Sequence, residues 1–249
     1  MRRWMWVLGL GVLGAVIGSF LATIAIRWPQ ERSVTHGRSA CDGCGRSLRA
    51  DELIPLVAWL VARGRCRTCG ARIDPLHPLI EAGCAAVGVA AALAAPGPVA
   101  LAGAAFGWLL LVLAVMDARD FWLPDPLVAA LALAAVAGAW LAPPALGERL
   151  IGGAGGFAVL WLIGAGYRRW RGRDGLGGGD PKLFGAIGLA LGWRMLPAVM
   201  LVAGLIGLGW VLFQRVRGSA VAADDALPLG TLLAIAAYPA WLLMIGMAA

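Results

Sequence analysis

WMWVLGLGVLGAVIGSFLATIAIRW, residues Trp4–Trp28, carries one charge, Arg27, in 25 residues. A helix crossing a bilayer needs about 20 consecutive apolar residues, and this run offers them with apolar side chains all round, as a lipid-facing helix requires. It predicts a first transmembrane span. Met1-Arg2-Arg3 ahead of it resembles the basic start of a secretory signal, but no short apolar core ending in a small-residue cleavage site follows, so the segment is expected to stay attached.

The rest of the chain has the same character. Of 249 residues, 61% are apolar and 14% charged, with a mean hydropathy of +0.81. Soluble domains run at roughly 45–50% and about 25%, which excludes an ordinary globular enzyme, and disorder needs low hydrophobicity. Further apolar windows fall at 77–95, 98–116, 126–142, 146–166, 182–193, 196–214 and 228–247. The expectation is an all-α polytopic membrane protein of about eight spans. At about 20 residues each they take roughly 160 positions and leave roughly 90 for loops. Three parts are expected: a first span over 1–28, a polar loop domain over 29–76, and a seven-helix membrane domain over 77–249.

The net charge is +7, a balance that also suits nucleic acid. Eight of the 21 basic residues, however, lie between Gln30 and Pro75 in the one long polar stretch. In an apolar chain such clustering reads as membrane orientation rather than a polyanion site, and no nucleic-acid partner is expected. With that loop in the cytoplasm, every basic residue except Arg2, Arg3, Arg149 and Arg194 falls on the cytoplasmic side. Trp28, Trp122, Trp170 and Trp193 lie near span ends, as interfacial anchors do. Twenty Arg against one Lys points to a GC-rich bacterial genome.

Three constellations carry chemistry. The first is Cys41-Asp-Gly-Cys44 and Cys66-Arg-Thr-Cys69, two CxxC pairs with 21 residues between them. This is close to four-cysteine zinc spacing, with Gly43, Gly45 and Gly70 supplying permissive backbone for the turns. Two disulfides are the alternative, but cytoplasmic thiols stay reduced. Four thiolates leave no open position, so the zinc is structural. Cys84, in an apolar window, reads as core packing.

The second constellation is Asp117 to Asp125 (DARDFWLPD), directly after the third span. Its alternative is a solvated hairpin turned by Leu123-Pro124-Asp125. The third is Gly175 to Leu183 (GLGGGDPKL). It lacks the GKS/T ending of a phosphate loop and the strand-helix setting of a dinucleotide fingerprint, so it reads as a flexible stretch that sets Asp180 at a membrane boundary, or as a plain linker. The assigned topology puts Asp117 and Asp180 on one face. Two neighbouring carboxylates do not both ionise cheaply, so one holds a proton while the other takes one from water, which is aspartyl proteolysis without a metal.

Taken together, the chain resembles the type IV prepilin peptidases, of the GxGD class of membrane aspartyl proteases. The resemblance rests on four blocks in order: Gly18-Ser-Phe through Arg27-Trp-Pro29; the cysteine loop with Ile54-Pro55, Trp59-Leu60 and Pro78-Leu-Ile-Glu81; Met116-Asp117 to Leu123-Pro124-Asp125; and Gly177-Gly-Gly179-Asp180-Pro-Lys182-Leu183. It implies Asp117 and Asp180 as catalytic aspartates and Cys41, Cys44, Cys66 and Cys69 as the metal set. It further implies prepilin and pseudopilin substrates cut after a glycine at the cytoplasmic face of the inner membrane, and methylation of the new N-terminus from S-adenosylmethionine. Gly177, Gly179, Lys182, Asp125 and Glu81 are supporting residues. Asp120, Asp125 and Glu81 are expected to meet the basic leader or to neutralise nearby arginines, and Lys182 to tune Asp180 or to snorkel. His77 stands where an aromatic is usual, and Pro228-Leu-Gly-Thr231 matches the late PFGP-like block only loosely. No soluble methyltransferase motif is visible, so methylation rests on the resemblance. Two other classes fit an apolar chain with such acids: a polytopic carrier or ion-pathway protein with a metal- or redox-sensing cysteine loop, and a non-catalytic scaffold for a secretion machine.

Overall fold

The computed structural model describes residues 3–34, 39–218 and 226–248. Arg2 and Arg38, both counted in the charge asymmetry, lie outside them. Each apolar window becomes a helix: α1 (Arg3–Arg27), α3 (Leu76–Ala94), α4 (Pro98–Asp120), α5 (Asp125–Ala137), α6 (Leu146–Arg171), α7 (Asp180–Leu191), α8 (Leu196–Val216) and α9 (Leu229–Ala248). A short α2 (Val57–Val61) lies in the polar loop.

The span count differs from the expected eight. Six helices among the described residues, α1, α3, α4, α6, α8 and α9, are long and apolar enough to cross a membrane. The other two are short, α5 with 13 residues and α7 with 12. At about 1.5 Å per residue they extend roughly 20 and 18 Å, less than a hydrocarbon core of about 30 Å. Local stops set their lengths. Pro126 and Pro181 stand in their first turns, where a missing N–H costs nothing. Gly138 then tightens α5 into a 3₁₀ turn, and Gly192, at φ +73°, ends α7. Apolar content cannot reveal such stops.

Small residues set the closest helix pairs. A Cβ on Gly14 would stand 2.3 Å from the Cys84 carbonyl oxygen, and one on Gly88 2.2 Å from that of Leu10, so α1 and α3 touch backbone to backbone. Gly152 and Gly188 do the same for α6 and α7, with ideal Cβ positions 2.5 and 2.2 Å from each other's carbonyl oxygens. Among apolar helices, dispersion at such close approach substitutes for the hydrophobic effect. Large apolar side chains on α6 and α8 (Ile151, Trp161, Leu162, Leu201, Leu205) stay exposed, as lipid-facing residues do.

The helices alternate in direction, which gives the bundle two ends. At one end stand the cysteine loop and the turns around 121–124 and 172–179. Arg119 lies 4.0 Å from Asp74 there, and Trp28 meets Trp122 edge-on with ring centroids 5.9 Å apart.

At the other end Arg149 is 2% exposed. Its Nε donates to the Pro144 carbonyl, one terminal nitrogen to Ala135 and Leu189, and the other to Ala142 and Pro143, all within 2.8–3.1 Å. All five guanidinium N–H donors are thereby used. Ala135 and Leu189 belong to the last turns of α5 and α7, whose carbonyls have no partner within their own helices. Arg149 thus fastens the far ends of both short helices.

Candidate active site

The near ends of those helices build the site. Asp117 lies one turn before the end of α4. Phe121, in the left-handed region at φ +49°, closes that helix by donating its N–H to the Asp117 carbonyl at 3.0 Å. The chain then runs extended through Pro124 into α5, which buries Leu123 between two glycines. A Cβ on Gly179 would stand 2.7 Å from that of Leu123, and one on Gly230 2.9 Å from its Cδ1. Leu123 therefore sets how near the starts of α7 and α9 come to Asp117.

Asp180 is the first residue of α7. Gly177 donates its N–H to Asp180 Oδ2 at 3.1 Å and accepts the Asp180 N–H at 3.2 Å. A Cβ on Gly177 would stand 2.9 Å from that carboxylate oxygen, so the glycine leaves the space the acid occupies. Asp117 caps a different helix from outside. Thr231, third residue of α9, donates its N–H to Asp117 Oδ2 at 2.7 Å, and its hydroxyl lies 3.1 Å from the same oxygen.

Both carboxylates are buried, 5% and 6% exposed, and the charge of Asp117 acts on Asp180. The Gly230 amide is a neighbour of both. Two helix N-termini, where backbone N–H groups and the helix dipole favour an anion, meet at the pair. Both line one cavity of about 750 Å³, together with Trp122, Leu123, Tyr167, Gly177 and Leu229. Such a pair can take a proton from water with one carboxylate and give one to a leaving group with the other.

The supporting residues fall into place as follows. Lys182 Nζ sits 2.7 and 2.8 Å from the two oxygens of Asp125, joining α7 to α5. Glu81 accepts the Leu56 N–H at 2.7 Å, a residue at φ +63°, and so pins the Ile54-Pro55-Leu56 turn to α3. Asp120 is exposed at the end of α4. Cys84 is buried between α1 and α4, and its carbonyl accepts the Trp108 indole N–H at 2.8 Å.

The four loop cysteines converge. Their sulfurs all lie within 4.8 Å of one another, Cys41 and Cys69 at 3.8 Å. A tetrahedron of thiolates about 2.3 Å from zinc has edges of about 3.8 Å, so the set fits the metal. The two knuckles repeat one construction. Gly45 and Gly70, at φ +70° and +71°, donate to the Cys41 and Cys66 carbonyls at 2.9 Å. Short bridges at Ala40–Ser47 and Arg65–Arg72 close each knuckle. Amides of Cys69 and Thr68 bring the Cys66 thiol down to about 6, whereas Cys69 stands at about 11, where burial and neighbouring thiols outweigh the Ala71 amide. Arg46 grips Glu52 through two 2.8 Å contacts, holding its carboxyl at about 2, and reaches the Cys66 sulfur at 3.9 Å.

Sequence reasoning passed over two residues. Thr231 sat in a block that looked like a loose match, and only the fold brings α9 against α4. Arg149 did carry a signal: a lone arginine inside an apolar window is expected to be satisfied within the protein.

Known proteins match this sequence. Residues 12–95 fit the bacterial peptidase A24 N-terminal domain, and residues 104–212 the type IV leader peptidase family. The chain is similar to the prepilin leader peptidase/N-methyltransferase of Burkholderia pseudomallei (strain 1026b), 36% identical over 251 residues covering 90% of this chain and 81% of the relative. It is 37% identical over 214 residues to the protein of that name from Aeromonas hydrophila, covering 82% and 71%. With that of Dickeya chrysanthemi the identity is 36% over 245 residues, covering 86% and 84%. No solved structure matches. The chain belongs to the type IV leader peptidase family.

Proposed function

We propose that this protein is an aspartyl endopeptidase of the bacterial inner membrane. In this reading it cuts the leader from prepilins and pseudopilins after a glycine, then methylates the new N-terminus from S-adenosylmethionine. The observation that carries it is the convergence of Asp117 and Asp180, each at a helix N-terminus, on one cavity. One carboxylate takes a proton from the water that attacks the scissile carbonyl, and the other protonates the departing amine. Helix ends and backbone amides hold both acids in place, and the zinc, when bound, shapes the loop rather than the chemistry. The relatives, each a prepilin leader peptidase/N-methyltransferase by name, support both activities.

The cytoplasmic placement of the site rests on the arginine bias of the cysteine-loop end. The division into a first span (1–28), a zinc-type loop domain (29–76) and a peptidase domain (77–249) is part of the same reading. Against a carrier, the acids sit at helix ends around an open cavity, whereas transport sites lie near the bilayer midplane. Purified protein given a prepilin peptide with a glycine junction should release the leader. Adding S-adenosylmethionine should raise the mass of the mature product by one methyl group, about 14 Da, the arithmetic of replacing an N–H by N–CH₃. An intact peptide under conditions that keep the protein folded would refute the reading.

A further inference from the structure

The block Pro228–Thr231 opens α9, and its contacts give it a part in the reaction. Near a helix start the backbone N–H groups lack partners within the helix, and that of Thr231 is used across the bundle, on Asp117 Oδ2 at 2.7 Å. The Thr231 hydroxyl stands between two acceptors on α4, 2.9 Å from the Ala114 carbonyl oxygen and 3.1 Å from Asp117 Oδ2. It has one proton and two acceptor lone pairs. Toward a charged Asp117 it donates to Oδ2; when a proton resides on that oxygen it can accept it and donate to Ala114 instead. Both Thr231 donors converge on this one oxygen, and the neighbouring Gly230 amide also acts on the carboxylate.

We propose that Thr231 is the positioning residue of the dyad, its amide and hydroxyl together fixing Asp117 by one oxygen and satisfying it with or without a proton. This rests on the reading of Asp117 as half of the catalytic pair. Thr231→Val keeps the shape and the amide and removes the hydroxyl, whereas Thr231→Ser keeps both donors and removes a methyl group.

The two variants separate hydrogen bonding from packing. With a prepilin peptide in proteoliposomes, Thr231→Val should lower kcat about tenfold to a hundredfold with KM unchanged, the effect of losing a hydrogen bond to a charged group in the transition state. Thr231→Ser should stay within about threefold of the parent. Thr231→Ala, a second hydroxyl-free variant, should behave as Val does and covers the case in which Val fails to fold. A packing role gives the reverse order, Val active and Ser impaired, and would overturn the proposal. So would a parental kcat in Thr231→Val beside an inactive Asp117→Asn. Full activity in Asp117→Asn itself would instead remove the dyad reading on which the proposal stands.

Discussion

A Cβ placed on Gly230 would stand 3.0 Å from both the carboxyl carbon and Oδ2 of Asp117. In an unconstrained helix, Gly→Ala stabilises by up to about 1 kcal/mol. Here the added methyl would push on a carboxylate held by two hydrogen bonds and on Leu123. Gly230→Ala should therefore lower kcat at least tenfold, the scale of a reacting group displaced by a fraction of an ångström, while its unfolding temperature in detergent falls little or rises. Kinetics and thermal melts on the same preparation check this, and an unimpaired kcat would show that Asp117 has room to move.

Arg149 concerns stability rather than chemistry. Replacing it by Ala strands five carbonyls at the ends of α5, α7 and the loop between α5 and α6, those of Ala135 and Ala142 on buried residues, and each unsatisfied buried group costs about 1–3 kcal/mol. Partial relaxation leaves a loss of about 3 kcal/mol or more. Lysine, with three donors, should recover only part of it. Denaturant unfolding in detergent should rank the parent above Arg149→Lys and that above Arg149→Ala.

The sulfur tetrahedron predicts one zinc per chain by elemental analysis, lost in Cys41→Ser and in Cys69→Ser. Loss of metal should loosen the loop before the membrane helices, because the backbone of each knuckle is closed by one isolated bridge and a turn, not by a helix or a sheet. Proteolysis between Pro29 and Asp74 with the helices still intact is the expected pattern. Metal-free protein with a protease-resistant loop would contradict it.

Lys182 tests a different point. It is bound to Asp125, with the two side chains 46% and 68% exposed, so Lys182→Met should cost under about 1 kcal/mol, as exposed ion pairs do. If joining α7 to α5 is its whole contribution, Asp125→Asn should match it in both stability and kcat. A much larger loss of kcat in Lys182→Met than in Asp125→Asn would give the lysine a direct electrostatic part at Asp180.

Much of this was legible before any coordinates. The apolar windows marked each of the long helices among the described residues because a run of apolar side chains is visible locally, but they counted eight spans where six helices are long enough to cross. The CxxC spacing marked the sulfur cluster because two intervening residues suffice to turn both sulfurs onto one ion. The carboxylates stood out because charge is scarce in such a chain. Other features were not local. The lengths of α5 and α7 depend on stops at Gly138 and Gly192. The depth of Asp117 depends on Leu123 wedged between Gly179 and Gly230, three residues from three parts of the chain. Thr231 lies 114 positions from the carboxylate that it holds, and nothing in PLGT announces that contact.

The central claim is that Asp117 and Asp180 act together on one peptide bond. The most direct measurement is single-turnover cleavage of a prepilin peptide, followed by mass spectrometry, with purified Asp117→Asn and Asp180→Asn in liposomes. Each substitution preserves size while removing a titratable group. Both proteins should remain folded and each should lose cleavage by at least about a thousandfold, with no further loss in the double variant, since groups that act as a unit are not additive. Full cleavage by either single variant would contradict the account.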